Sequence, residues 1–195
     1  MTRQELRRKL QQIRRSLPQD YAEKAGQAVA ERIAQRLKGL SPEQKTVAVY
    51  HSFSGELPTQ RVIERLWENG FQTVLPVLHP FAKGHLLFLR YAPDTPMTSN
   101  KYGIEEPELR VDNVVPLSKI DILLLPLVGF DTKGNRLGMG GGYYDRTLAQ
   151  WHNGHTPHLF PIGLSYDEQR VDELPVEAWD IPLPEIITPT RHWQF

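Results

Sequence analysis

The segment that most limits how this chain can fold is Ile120 to Val128, IDILLLPLV, where apolar residues run almost without a break. A strand with one wet face alternates apolar and polar residues, whereas a strand apolar at nearly every step is covered on both faces. That cover comes from helices on either side of a mainly parallel sheet. The longest uncharged apolar stretch, Ile122 to Phe130, contains Pro126. It is far shorter than the roughly 20 residues a membrane-spanning helix needs.

The rest of the chain supplies suitable layers. Thr2-x-x-Glu5 has the form of a capping box, and Leu6, Leu10, Ile13 and Leu17 then follow the helical period up to Pro18. A second helix is expected over roughly 20–38 and a third after Pro58, stopped at Asn69-Gly70. Strands are expected at Thr46–Ser52, Phe71–Leu78, Leu86–Tyr91 and Leu159–Leu164, with a further helix over about Tyr143–Trp151. Residues 92–118 are rich in Pro, Asn and Asp and form an excursion too long for a plain connection. The expected fold is α/β, a layered single domain over residues 1–195, with a mainly parallel central sheet flanked by helices.

Composition removes several classes of function. Lys+Arg and Asp+Glu each number 23, so the net charge is zero and a general affinity for nucleic acid is not expected. With no cysteine, thiolate chemistry, zinc–thiolate sites and disulfides are excluded. The N-terminus lacks an apolar signal region, so a cytoplasmic protein without a membrane partner is expected.

Two local patterns carry chemistry. The first is Gly134-Asn135-Arg136-Leu137-Gly138-Met139-Gly140-Gly141-Gly142-Tyr143-Tyr144-Asp145, placed between the buried strand and a helix. Glycines bring backbone amides close to a ligand, and together with a helix N-terminus they make an anion cradle. Arg136 suits a phosphate oxygen, and Asp145 offers a hard oxygen to Mg²⁺. The spacing matches neither GxxxxGK[ST] nor GxGxxG, so a simple turn with Asp145 as a helix cap is the alternative. The second pattern is in the first helix. At about 100° per residue, Arg3, Arg7 and Arg14 fall within about 40° of one another, beside the apolar stripe, while Arg8 and Arg15 point away. Such a stripe either reaches into a cleft or is a solvated basic face.

Leu125-Pro126-Leu127-Val128-Gly129-Phe130-Asp131, followed by Arg136-Leu137-Gly138-x-Gly140-x-Gly142-Tyr143-Tyr144-Asp145, resembles the signature of the 5-formyltetrahydrofolate cyclo-ligase family. The resemblance extends to Arg3-x-x-x-Arg7, Tyr50 to Glu56, Gly103-Ile104-x-Glu106-Pro107, and Leu174-Pro175-Val176 with Asp180. It implies ATP- and Mg²⁺-dependent conversion of 5-formyltetrahydrofolate to 5,10-methenyltetrahydrofolate, with release of ADP and phosphate. By the same resemblance, Arg3, Gln4, Glu5, Leu6, Arg7 and Arg14 hold ATP together with Arg136 to Tyr144, and Arg136 and Tyr144 serve catalysis. The resemblance further implies that Asp145 and Asp180 bind Mg²⁺, and that His51 and Glu56 contact the folate, as do Met139, Gly140, Gly141, Gly142 and Tyr143. From the residues alone, Glu56 reads more readily as an exposed acid at a helix start.

The chain also departs from the family pattern. Met139 and Gly141 stand where some relatives carry Arg and Lys, leaving the positive charge to Arg136 and the N-terminal arginines. Trp179 stands where histidine is frequent. Small-molecule partners and a monomer are expected. His152, His155 and His158, broken by Asn153, Gly154 and Pro157, read as a solvated loop rather than a metal site. Two rival functions remain at this level: a non-catalytic 5-formyl-folate-binding module, and a phosphate-handling isomerase on a similar fold.

Overall fold

A computed structural model describes residues 1–100 and 103–195. Among these residues the α-helices are α1 (Arg3–Ser16), α2 (Gln19–Leu37), α3 (Gln60–Glu68) and α4 (Tyr143–His152). The strands are β1 (Thr46–Ala48), β2 (Gln72–Leu78), β3 (Leu86–Tyr91), β4 (Met97–Ser99), β5 (Glu105–Pro107), β6 (Val114–Val115), β7 (Ile122–Pro126), β8 (Gly129–Phe130), β9 (Arg136–Leu137), β10 (Phe160–Leu164), β11 (Glu185–Ile187) and β12 (His192–Gln194).

Eight strands form one sheet in the order β12-β11-β10-β7-β1-β2-β3-β6. The centre, β11 to β2, is parallel throughout. β3, β6 and β12 join antiparallel at the edges. The unbroken apolar run is β7, near the middle, and its side chains divide between the two faces. Ile122 and Leu124 enter the core shared with α2 and α3, while Leu123 and Leu125 enter the core shared with Leu148 of α4. Covering both faces is why the run never alternates.

Helix α1 lies apart from both layers. Its Leu6 and Leu10 pack against Val128, Leu137 and Leu174. The capping box is formed, with the Thr2 side chain accepting from the Glu5 amide and the Glu5 carboxylate from the Thr2 amide. The β8–β9 hairpin that receives α1 is built around buried Asp131, whose carboxylate accepts from the amides of Lys133, Asn135 and Leu174 and from the Asn135 side chain. A side chain at Gly129 would collide with Leu10, so glycine there sets how closely helix and hairpin approach.

Residues 92–118 are not a bare loop. They hold the β4–β5 hairpin and then β6, an edge strand of the main sheet. His152, His155 and His158 are exposed, and no group of three or more metal-type ligands occurs among the described residues. No described helix is long and apolar enough to cross a membrane.

Candidate active site

Ligands of open α/β sheets bind beyond the carboxyl ends of the strands. Here β1 leads into Tyr50–Glu56, β2 ends at Leu78, and β7 leads through the β8–β9 hairpin into Gly138–Gly142. These segments enclose two depressions with the glycine loop as the wall between them.

The first is a mostly apolar cavity of about 200 Å³. Leu75, Pro76, Leu78, Leu86, Ile104, Pro126 and Met139 supply its greasy lining, and Tyr50, His51, Glu56, Asn100, Glu105, Glu106 and Tyr144 its polar groups. The Glu56 carboxylate accepts from the Phe53 amide at 3.0 Å. Arg14 stands beside it, Nη1 to Oε1 at 4.0 Å, and both side chains are nearly inaccessible, at 0% and 10% exposure. Burial pushes the Glu56 carboxyl above the ordinary carboxylate range, against the pull of the Phe53 amide and Arg14. Burial likewise raises the Tyr50 and Tyr144 hydroxyls and lowers the His51 imidazole.

Arg14 is anchored through Nε and Nη2 to the carbonyl of Ser54, at 3.2 and 3.0 Å. That carbonyl is presented by a turn in which Ser54 has φ 53°, the one positive φ among the described non-glycine residues, followed by Gly55 at φ 78°. Strain of this kind persists only where surroundings hold it, and it gathers at functional sites. Among the described residues, three buried polar atoms in this region have no hydrogen-bond partner: Arg14 Nη1, the Tyr50 hydroxyl and His51 Nε2. Buried polar groups are normally paired, and Tyr50 and His51 line the cavity, so these two orphans suit a ligand that brings its own donors and acceptors.

The second depression is larger, about 530 Å³, and charged side chains dominate the residues around it. Arg3, Arg7, Gly140, Gly142, Asp145, Arg146, Ala149, Glu177, Trp179 and Asp180 line it. Two arginine–carboxylate pairs sit in it, Arg3 with Asp180 and Arg136 with Asp145. Arg7 Nε donates to the Gly138 carbonyl at 2.7 Å. Burial opposes ionisation of Asp180, but the Arg3 guanidinium and the Glu177 amide hold its carboxyl below the ordinary range. Gly140 and Gly142 adopt φ 98° and 70°, which residues with side chains rarely reach. Gly142 is the N-cap of α4, so the first-turn amides of the helix open toward the loop.

The structure thus brings Arg3, Arg7, Gly140, Gly142, Asp145 and Asp180 into one cleft. Met139, at 47% exposed, belongs instead to the apolar cavity together with His51 and Glu56. Leu6 is buried in the α1 contact rather than in the cleft. Arg14 departs from its expected place beside Arg3 and Arg7, since its contacts are Ser54, Glu56 and the Met139 sulfur. Arg15 also reaches the Ser54 hydroxyl, through Nη2 at 2.7 Å, although its helical direction points away from the stripe. The sequence assigns no cleft role to Arg146 or Trp179 and no cavity role to Asn100 or Glu105, and it marks Tyr50 only as the first residue of the Tyr50–Glu56 segment.

Magnesium beside phosphate takes one or two carboxylates and completes its shell with phosphate oxygens and water. Asp145, 42% exposed, and Asp180 on the same cleft make a donor set of that kind.

A sequence model of the 5-formyltetrahydrofolate cyclo-ligase family matches residues 1–189. The chain is 48% identical to a 5-formyltetrahydrofolate cyclo-ligase of Haemophilus influenzae, over 95% of this chain and 96% of that protein. It is 47% identical to one of Escherichia coli, over 95% of this chain and 100% of that protein. A solved 5,10-methenyltetrahydrofolate synthetase from Mycoplasma pneumoniae superposes with a TM-score of 0.75 at 27% identity, covering 97% of this chain and 99% of that one. The corresponding synthetase from Aquifex aeolicus gives 0.77 at 27% identity, covering 100% of this chain and 93% of that one. With the glycine loop, its flanking hairpin and both depressions in place, the chain belongs to the 5-formyltetrahydrofolate cyclo-ligase family.

Proposed function

We propose that the apolar cavity receives 5-formyltetrahydrofolate and the polar cleft receives ATP, so that phosphoryl transfer takes place across the glycine loop between them. The reaction converts 5-formyltetrahydrofolate to 5,10-methenyltetrahydrofolate at the expense of ATP. The formyl oxygen takes the γ-phosphoryl group and ADP departs. N10 of the folate then attacks the activated formyl carbon, and the C–O bond breaks with release of phosphate. The observation that carries this reading is the loop itself, whose two sides face chemically opposite spaces: Met139 toward the greasy one, Gly140 and Gly142 toward the charged one.

In the cavity, Glu56 accepts hydrogen bonds from N–H groups of the pterin, and Arg14 behind it stabilises the carboxylate in that orientation. His51 and Tyr50 offer further polar contacts. In the cleft, loop amides and the α4 N-terminus bind phosphate oxygens. Arg3, Arg7 and Arg136 neutralise the polyphosphate, with Arg136 nearest the moving phosphoryl group. Tyr144 lines the folate side and, kept neutral by burial, orients the formyl group as a hydroxyl donor. Asp145 and Asp180 would hold Mg²⁺, and the ion would supply positive charge against that developing on the phosphate during transfer. Catalysis here is mainly positioning and charge neutralisation.

The test is incubation of purified protein with 5-formyltetrahydrofolate, ATP and Mg²⁺, following methenyl product by absorbance and ADP in parallel. Equal yields of the two are expected, with no product when either ATP or the metal is withheld. Product without nucleotide would overturn the mechanism, and tight folate binding without turnover would make the chain a sequestering module.

A further inference from the structure

The glycine loop from Leu137 to Gly142 contains no cation of its own, so its positive charge comes from side chains leaning on it. Arg3 and Arg136 lean in but are already matched with Asp180 and Asp145. Two others touch only neutral carbonyls. Arg7 donates to Gly138, and Arg146 Nη1 donates to Gly141 at 3.2 Å and to Gly84, in the β2–β3 connection, at 3.1 Å. Neither takes part in an ion pair among the described residues. The two guanidinium groups therefore bracket the loop from opposite sides, α1 and α4, and both line the polar cleft.

Arg146 is also placed against the usual electrostatic rule. It lies in the opening turns of α4 and folds back over that helix's positive end, where cations are disfavoured. The surroundings make room for it. An added β-carbon at Gly142 would come within 2.8 Å of Nη1 and one at Gly84 within 2.7 Å, and both glycines adopt positive φ. An exposed cation held on two carbonyls beside a helix N-terminus gains most when an anion enters between them.

We propose that Arg146 contacts the polyphosphate of the nucleotide, clamping it from the α4 side of the loop opposite Arg7. The proposal rests on the reading of the polar cleft as the ATP site. It adds a phosphate ligand outside the glycine signature and assigns this arginine a second state. The guanidinium that bridges Gly141 to Gly84 would exchange those carbonyls for phosphate oxygens when nucleotide binds.

The test compares Arg146→Ala, Arg146→Gln and Arg146→Lys by calorimetric titration with ADP in the absence of folate, and by KM for each substrate. Loss of a charge-assisted contact predicts ADP binding weakened on the order of 10- to 100-fold in the Ala and Gln variants. KM for 5-formyltetrahydrofolate should move by no more than about threefold, because a phosphate ligand acts on one substrate. The Lys variant recovers part of the loss, since it restores charge without the fork. Gln keeps an amide donor for the two carbonyls, so wild-type ADP affinity in that variant would show a bridge and nothing more, and would overturn the proposal. A rise in folate KM with ADP affinity unchanged would overturn it equally. Arg7→Ala, run in parallel, separates the two levels. If it weakens ADP while Arg146→Gln does not, only this proposal falls; if neither does, the cleft is not the nucleotide site.

Discussion

The two spaces on either side of the glycine loop are built by opposite means. The polar cleft draws Gly140, Gly142, Asp145, Arg146 and Ala149 from one continuous stretch, and adds Arg3 and Arg7 from α1 and Glu177, Trp179 and Asp180. The apolar cavity is assembled from β2, β3, β5, β7 and the turns after β1, with the loop contributing Met139. Charge is handled differently as well. In the cleft Asp145 and Asp180 each have a guanidinium on them. In the cavity Glu56 stands 4.0 Å from its arginine and is desolvated. A site for a compact polyanion needs local, dense charge; a site for a flat, half-apolar ring system needs area gathered from the whole edge of the sheet.

This contrast predicts that damage on one side is felt as loss of one substrate. The largest effect is expected at Asp145, where replacement by Ala lowers turnover by about 100-fold or more and leaves folate affinity, measured by titration, unchanged. Added Mg²⁺ recovers this in part at most, and a wild-type rate would remove Asp145 from the metal site. Next is Glu56→Gln, which should raise KM for 5-formyltetrahydrofolate roughly 10- to 100-fold through loss of a charged acceptor, with KM for ATP unmoved. If each variant instead impaired both substrates equally, the division of the site would be wrong.

The third prediction concerns pH. Glu56 must be ionised to accept from the pterin, and burial raises its folded pKa. Folate KM should therefore climb as pH falls, beginning at a higher pH than an ordinary glutamate would give. Arg14→Leu removes a stabilising charge and should move that climb to still higher pH, with folate KM rising more than ATP KM. The opposite order of KM effects would return Arg14 to the nucleotide side. The smallest effect is expected for Ser54→Gly, which eases a positive φ and deletes the hydroxyl that Arg15 holds. Stability by thermal unfolding should change by no more than about 1 kcal/mol and folate KM hardly at all, because the carbonyl gripped by Arg14 survives.

The same contrast explains what could be read from the sequence. The cleft was largely legible because its loop is contiguous and its glycine content has a physical purpose. The layered fold was legible from β7 and the helical periods. A helical wheel misplaces Arg14 because it gives direction but not height: eleven residues beyond Arg3, at about 1.5 Å each, it sits about three turns farther along α1. Most of the cavity lining was invisible, since Leu75, Leu86 and Ile104 look like any core residues until the strands are in register. β11 and β12 escaped notice because they are three residues long and Glu185, buried in the sheet, reads as polar. Only in space do Arg36 and His192 close on it and make burial tolerable.

The two matched couples in the cleft, Arg3 with Asp180 and Arg136 with Asp145, act as a double lock. A lone anion that drew off the arginines would strand two carboxylates, and a lone divalent ion that drew off the carboxylates would strand two guanidinium groups. A metal–polyphosphate complex answers both at once, as partners in a square dance change hands together. On the proposed reading of the cleft, a metal-free anion that leaves both pairs intact has only Arg7 and Arg146 to bind, so free orthophosphate should compete weakly.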